Sequence, residues 1–414
     1  MKTGIVIFTL LILSVNTKAQ ELSDEAWRED LKSYQTGLED KHIDLYNKIS
    51  KAEFEKALAK IEASTGTETD LGIILDLMRL TRKIGDGHTA VSARNLGFHH
   101  YPFEVKNFEG DWRLVKVAKE HSNLLGLKLV GVENKNIDSV IKKLGEVVQF
   151  VENEQSLIVR TAENITSAEL LYALKISKEK TQASFTFSDD SGNKTSVKLT
   201  ALTQQEYYEE TAFTALSVEV PQIAKPKKAG EANFWYAPIL GTKALYIHFE
   251  SYPAFEEMMK IGEALVGYIS ENSIRQLVID LRNNGGGDLY TGLVLAYALN
   301  LADPVDWKNG VYVLADKVTF SAATSNTALF RELLNAKIVG EPTGSNPTGY
   351  QDMDTFELPN SKLVICYSKR LFQVQEIPTS GVQPEILLKY EWESFSKGKD
   401  NMLKWVINEL KQQP

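Results

Sequence analysis

The spacing of apolar positions along the chain changes character three times. From Ser23 to about Arg82 apolar residues return every three or four positions, ending in Leu71, Ile74, Leu75, Leu77, Met78 and Leu80. Ser23-Asp24-Glu25 has the composition of a helix start. This predicts a small bundle of about three helices, closed where Gly85 and Gly87 interrupt the pattern. Between about Phe98 and Leu202 short strand-like runs at 101–105, 112–117, 183–187 and 195–199 alternate with helical patterns at 137–144 and 168–174. Residues 126–132 read as a turn and a further strand. A Pro/Lys/Gly-rich stretch, 221–231, reads as a linker. Beyond it, strands at 244–249, 276–281, 310–315 and 336–340 alternate with helices at 255–271, 289–300 and 321–335. That alternation predicts an α/β core of βαβ units around a mainly parallel sheet. Two antiparallel strands, 354–358 and 362–367, and a helix at 400–409 complete the pattern.

The first twenty residues stand apart. Lys2 precedes an apolar run at 4–15, and Thr17-Lys18-Ala19 places small residues where a signal peptidase reads. Residues 1–19 are therefore expected to be a leader cleaved before Gln20, leaving an exported chain, periplasmic or extracellular, with no stable membrane span. A buried strand or an uncleaved anchor is the alternative, but the run is shorter than the ~20 residues a bilayer needs. No cysteine lies near the cleavage site to carry a lipid. The mature chain divides into a helical subdomain at 20–90, an α+β insert at 91–205 and the core at 206–414.

Composition narrows the function classes. The 414 residues are 43% hydrophobic and 24% charged, as in globular proteins, and the net charge of −9 argues against a nucleic-acid partner. Cys366 is the only cysteine, so no intrachain disulfide can form, and it sits in an alternating strand pattern that favours a buried thiol. CxxC, HxxxH and HExxH spacings are all missing, so neither a metal nor another cofactor is expected.

Two loops carry candidate chemistry. Strand residues Leu277-Val278-Ile279-Asp280-Leu281 run through Arg282-Asn283-Asn284 into Gly285-Gly286-Gly287, just before a helix. Such glycines let backbone N–H groups approach a ligand, and without GxGxxG or Gly-Lys-Ser/Thr an oxyanion hole fits better than a phosphate site. An ordinary strand-to-helix loop is the competing reading. Ser321, in Thr319-Phe320-Ser321-Ala322-Ala323, falls at a strand–helix junction. Serine there is commonly a cap, yet the same place suits a nucleophile facing the Ala322 amide and the helix dipole. Both loops open at the carboxyl edge of one parallel sheet, where α/β enzymes place their sites.

Together with Val339-Gly340-Glu341-Pro342-Thr343-Gly344, Gly85-Asp86-Gly87-His88-Thr89 and Gly381-Val382-Gln383-Pro384-Glu385, these motifs resemble the tail-specific (C-terminal processing) serine peptidase family. The resemblance spans most of the mature chain and implies a ClpP/crotonase-like βαβ spiral core. The branch with a lysine base carries Gly-Lys-Gly after the Gly-Glu-Pro-Thr stretch; here Gly344-Ser345-Asn346-Pro347-Thr348-Gly349-Tyr350 holds no lysine. The resemblance to the tricorn-core-like branch implies instead that His88 is the general base for Ser321, a role suited to an imidazole titrating near neutrality. It further implies an oxyanion hole from Gly286 and the Ala322 amide, with Gly285 able to replace Gly286, and a supporting carboxylate near the C-terminal motif, for which Glu376 is the nearest candidate. The insert resembles a PDZ module, though a plain α+β insert reads equally well.

Other residues have plainer readings. His248 reads as a core or edge histidine, Lys317 as part of a turn pointing away from Ser321, and Asp280 with Arg282 as a brace for the loop. The expected activity is hydrolysis of peptides or unfolded proteins by a secreted or periplasmic serine endopeptidase. A non-catalytic ligand- or peptide-binding protein on the same fold is the alternative, and an acyl-CoA enzyme fits an exported chain poorly.

Overall fold

A computed structural model describes residues 21–227 and 233–412; the expected leader lies outside them. Helices α1 (Asp24–Lys41), α2 (Lys51–Glu62) and α3 (Asp70–Ile84) form the N-terminal bundle. Their starts are capped by Ser23, Ser50 and Thr69, whose hydroxyls accept backbone N–H groups of the first turn. Helix α3 ends at Gly85 in the left-handed conformation, and the chain turns into β1 (Ala90–Ser92).

The insert is an antiparallel sheet flanked by short helices. Strands β2 (Phe103–Phe108), β3 (Asp111–Ala118), β4 (Lys128–Val132) and β5 (Lys135–Asn136) are followed by helices α4 (Ile137–Gly145), α5 (Glu154–Asn164) and α6 (Ala168–Ala173). Then come β6 (Gln182–Ser188), β7 (Lys194–Thr200), α7 (Gln204–Tyr207) and β8 (Phe213–Ala215), the last pairing with β3, so the insert's sheet extends past the boundary expected at 205. The spatial order is β2-β3-β4-β6-β7, with β5 on β4 and β8 on β3. Helix α5 has no counterpart in the hydrophobic pattern, because only Ser156 and Thr161 of it are buried; an Asn153–Ser156 capping box defines its start.

The core follows the expected alternation: β9 (Phe234–Pro238), β10 (Ala244–Phe249), α8 (Phe255–Glu271), β11 (Gln276–Asp280), α9 (Leu289–Leu299), β12 (Val311–Ala315), α10 (Ala322–Leu334) and β13 (Lys337–Gly340). A long hairpin, β14 (Thr348–Glu357) and β15 (Val364–Gln373), precedes β16 (Ile386–Leu387), α11 (Trp392–Phe395) and α12 (Asn401–Gln412). The core sheet runs β16-β13-β12-β11-β10-β9, parallel except for β9, and β9 is a strand that the sequence pattern did not separate from the linker. One apolar face of the sheet packs with α8, α9 and α10, the other with α12. Among the described residues no helix is long and apolar enough to cross a membrane.

The hairpin is longer than its apolar alternation indicated: edge strand β14 begins at Thr348, ahead of the expected 354, along a half-buried stretch in which only Gln351 is fully buried. It joins the two ends of the chain. β1 pairs with β15, Ala90 facing Cys366, and Cys366 is buried. Asp30 of α1, fully buried, accepts the Asn360 and Ser361 amides at 2.8 and 2.7 Å, fixing the hairpin tip to the helical bundle.

Gly340 shows what the core demands at its motif positions. Its φ is 125°, and a β-carbon there would strike the Ala315 carbonyl of the neighbouring strand, leaving no room for a side chain. Gly340→Ala is expected to cost more than about 2 kcal/mol, combining backbone strain with a backbone clash. Urea denaturation of the variant against the parent chain measures it.

Candidate active site

The serine is held by the loops at the ends of β11 and β12. Asp316, directly after β12, accepts the amides of Val318 and Thr319 through Oδ1 at 3.0 and 3.2 Å, and that of Asn283 from the neighbouring loop at 3.2 Å. The Thr319 hydroxyl donates to the Leu281 carbonyl (2.9 Å) and the Phe320 amide to the Asn284 carbonyl (3.0 Å). The two loops are thereby stitched together, with Asn284 fully buried and its side-chain amide donating to the Phe249 carbonyl at 2.7 Å.

Ser321 stands at the start of α10 with φ 54° and ψ −126°, a conformation that L-residues avoid. Its side chain makes no cap bond to the helix. Instead its own amide donates to Ser345 Oγ at 2.7 Å, and that hydroxyl donates to Thr324 Oγ1 at 2.9 Å. A β-carbon on Gly286 would come within 2.7 Å of Ser321 Cβ and 2.9 Å of the Phe320 carbonyl, so glycine is needed for this approach. A sharp strand-to-helix turn of this kind presents the hydroxyl outward.

His88 arrives from the other end of the chain. Asp86, two residues earlier, is buried and accepts four donors: the His88 amide (2.9 Å), the Thr89 amide (2.7 Å), the Ser368 hydroxyl (2.8 Å) and His42 Nε2 (2.9 Å). His42 Nδ1 accepts the Asp44 amide at 3.0 Å, which leaves its proton on Nε2 for Asp86. Burial alone would raise the Asp86 pKa; the hydrogen bonds from His42, the Ser368 hydroxyl and Thr89 outweigh it and hold the carboxyl below its ordinary value. This carboxylate therefore fixes the turn that carries His88.

The imidazole and hydroxyl meet: His88 Nε2 lies 2.8 Å from Ser321 Oγ, across 233 residues of sequence. The ring stacks on Phe320 with centroids 5.2 Å apart. Burial pushes the His88 pKa down to about 4, against the opposing pull of Asp86, the Tyr350 carbonyl and Asp352. The ring is thus neutral near pH 7, able to accept the hydroxyl proton at Nε2 with its own proton on Nδ1. Nδ1 is buried and has no well-formed hydrogen bond among the described residues.

Two expected site residues take other places. Glu376 is exposed in the turn after β15 and makes no described hydrogen bond or ion pair; a carboxylate in open solvent cannot brace a buried imidazole. The Gly286 amide is committed to Asn284 Oδ1 at 2.9 Å and is not free for an oxyanion. The amides of Gly285, Gly287 and Ala322 have no acceptor among the described residues, and these residues line a cavity of about 1150 Å³ together with His88 and Ser321. Lys317 pairs with Glu341 at 2.8 Å, away from Ser321. Arg282 is buried between Asp280 (2.6 Å) and Asp400 (2.8 Å), bracing the loop. His248 stacks on Trp235.

No family model matches the chain, and neither does any curated protein. Solved structures do. Mature CPAF superposes with a TM-score of 0.64 at 13% identity, over 94% of this chain and 97% of its own. CPAF complexed with lactacystin gives 0.63 at 12% identity, over 94% and 98%. The fold is shared with CPAF. A looser match, the photosystem II D1 C-terminal processing protease, gives 0.44 at 13% identity over 95% and 98%.

Within this CPAF-like fold the supporting residues that sequence reading missed are Asn284, Ser345 and Asp352, together with the role of Asp86. Asp86 and Asn284 lay inside motifs already singled out, but nothing in a linear pattern says which carboxylate collects four donors. Glu152, wedged against Gly87 and Gly349, was also missed; burial lifts its pKa to about 8.

The His88 shift has a thermodynamic signature. Its folded pKa lies below the unfolded value, so between about pH 6.5 and 4 the unfolded chain binds a proton that the folded chain refuses, and stability falls as pH falls through that window. The contribution is on the order of 3 kcal/mol. Urea unfolding at several pH values should show a shallower acid slope in His88→Asn than in the parent; equal slopes would contradict the buried neutral ring.

Proposed function

We propose that the chain is a serine peptidase of the tail-specific family, in the branch that uses a histidine base, with Ser321 as nucleophile and His88 as general base. The reading also takes residues 1–19 as a cleaved leader, 20–90 as the helical subdomain, 91–205 as a PDZ-like insert and 206–414 as a ClpP/crotonase-like core acting in the periplasm or outside the cell. What supports it above all is the 2.8 Å contact between a neutral imidazole and a serine hydroxyl on a strained turn, with unengaged amides beside it.

The chemistry follows from those positions. As Oγ attacks the carbonyl carbon of a bound peptide, its proton passes to His88 Nε2. The tetrahedral oxyanion takes hydrogen bonds from the Ala322 amide and from Gly285 or Gly287. The imidazolium then returns its proton to the leaving amine, the C–N bond breaks, and an ester to Ser321 remains. Water, deprotonated by the same imidazole, hydrolyses the ester and restores the hydroxyl. Asp86 holds the base through its backbone, and the Tyr350 carbonyl faces the ring, so the charge on the imidazolium is met without Glu376.

A fluorophosphonate probe separates this reading from a non-catalytic binder on the same fold. The parent chain is expected to be labelled at Ser321, Ser321→Ala to show no labelling, and His88→Ala to be labelled at least about a hundredfold more slowly. Hydrolysis of an unfolded protein substrate should fall in parallel, read by fluorescence of a labelled casein. Full activity in Ser321→Ala would overturn the assignment.

A further inference from the structure

Behind the glycine-rich loop lies a second cavity of about 670 Å³, formed where β2 of the insert, the linker at 218–225, β9 to β11 and the C-terminal segment meet. We infer that this cavity is a binding site for a small organic carboxylate with an apolar or aromatic body. The inference does not rest on the peptidase reading.

The argument starts from Lys106. This lysine, on β2, is partly buried and points its ammonium at aromatic rings, with Nζ 3.7 Å from the centroid of Tyr390 and 5.9 Å from that of Phe395. It has no ion pair or hydrogen bond among the described residues. Cation–ring attraction offsets only part of what it costs to draw an ammonium out of water. Burial accordingly pushes its pKa down. Asp316 and Glu341 oppose that shift through space from beyond ion-pair distance, and the carboxylates around Lys106 bond other groups. Asp280 and Asp400 both bind Arg282, and Asp316 accepts the Tyr390 hydroxyl while capping the Ser321 loop. The cavity thus holds a recessed ammonium that no carboxylate contacts among the described residues.

Size and walls define the complement. A volume of this order suits a small molecule. Trp235, Tyr390, Phe395 and Val220 supply apolar surface, while Lys225 and Lys399 add positive charge at the rim, neither in a described ion pair. Asp280 and Asp400 beneath and Glu219 at the rim disfavour a phosphate or other polyanion more strongly than a single carboxylate, which meets Lys106 and leaves its apolar body against the rings. Asn283 lines this cavity, and Gly285, two residues on, lines the Ser321 cavity. An occupant would therefore link the insert to the loop bearing the free amides.

The test uses 3-phenylpropionate and 3-phenylpropionamide, titrated calorimetrically into the full chain. The acid is expected to bind saturably to the parent and equally to Ser321→Ala, the amide at least tenfold more weakly, and Lys106→Met to lose the acid by at least tenfold. Lys106→Met should melt no lower than the parent, since it replaces a recessed ammonium that no carboxylate contacts by an apolar side chain of similar length. Val220→Trp, which fills the cavity and keeps the lysine, should also abolish binding. N-acetyl-Ala-Phe with a free or an amidated terminus, run alongside, tells whether a peptide end or a free acid is the better source of the carboxylate; preference for either free carboxylate, dependent on Lys106, upholds the site. Equal affinity for acid and amide, unchanged binding in Lys106→Met, a lower melting temperature for that variant, or no saturation at millimolar concentration would each overturn it.

Discussion

The backbone of Ser321 is the constraint on which the rest of the structure depends. A residue with a β-carbon sits at φ 54° and ψ −126°, and on its own it would relax into the helix it precedes. It is kept there by its surroundings: its amide is taken by Ser345, Gly286 presses against it without a side chain, and Asp316 and Asn284 clamp the flanking loops. Relaxing the turn would bury the hydroxyl as an ordinary cap and point it away from the imidazole. Much of the polar structure in the core sheet's carboxyl edge, including the buried Asn284 and Ser345, is explained by this single strained position.

The second half of the site reaches it by an unusual route. His88 belongs to the helical bundle, yet its position is set by the β14–β15 hairpin from the far end of the chain, through β1–β15 pairing and through Ser368 on Asp86. Asp86 acts on His88 without touching its ring by a side-chain bond; it orders the turn and leaves the ring to burial, Phe320 and the Tyr350 carbonyl. Low polarity around the ring keeps it neutral, and neutrality is what lets it accept a proton.

Much of this was legible in the sequence, for definite reasons. The alternation of 276–281, 289–300, 310–315 and 321–335 is strong because each strand is buried on both faces and each helix is bounded by loop residues. Ser321 and His88 stood out because their motifs occurred in order. What could not be read were properties of assembled geometry. The first half of the edge strand β14 shows no alternation because its residues are half-buried with only Gln351 inside, and α5 hides few residues of its own. Glu376 was the nearest acid before Gly381, but nearness along the chain says nothing about a turn that ends in solvent. Gly286 was singled out for its amide, whereas its place depends on the lack of a side chain and its amide serves Asn284.

The pairing of Ala90–Ser92 with Val364–Cys366 carries an implication for how the molecule comes into being. A growing polypeptide has already made the imidazole long before the ribosome reaches the hydroxyl, and both exist before the strand that aligns them. A product that stops short of Val364 lacks the β1–β15 pairing, so the alignment of imidazole and hydroxyl waits on a strand that is made after both.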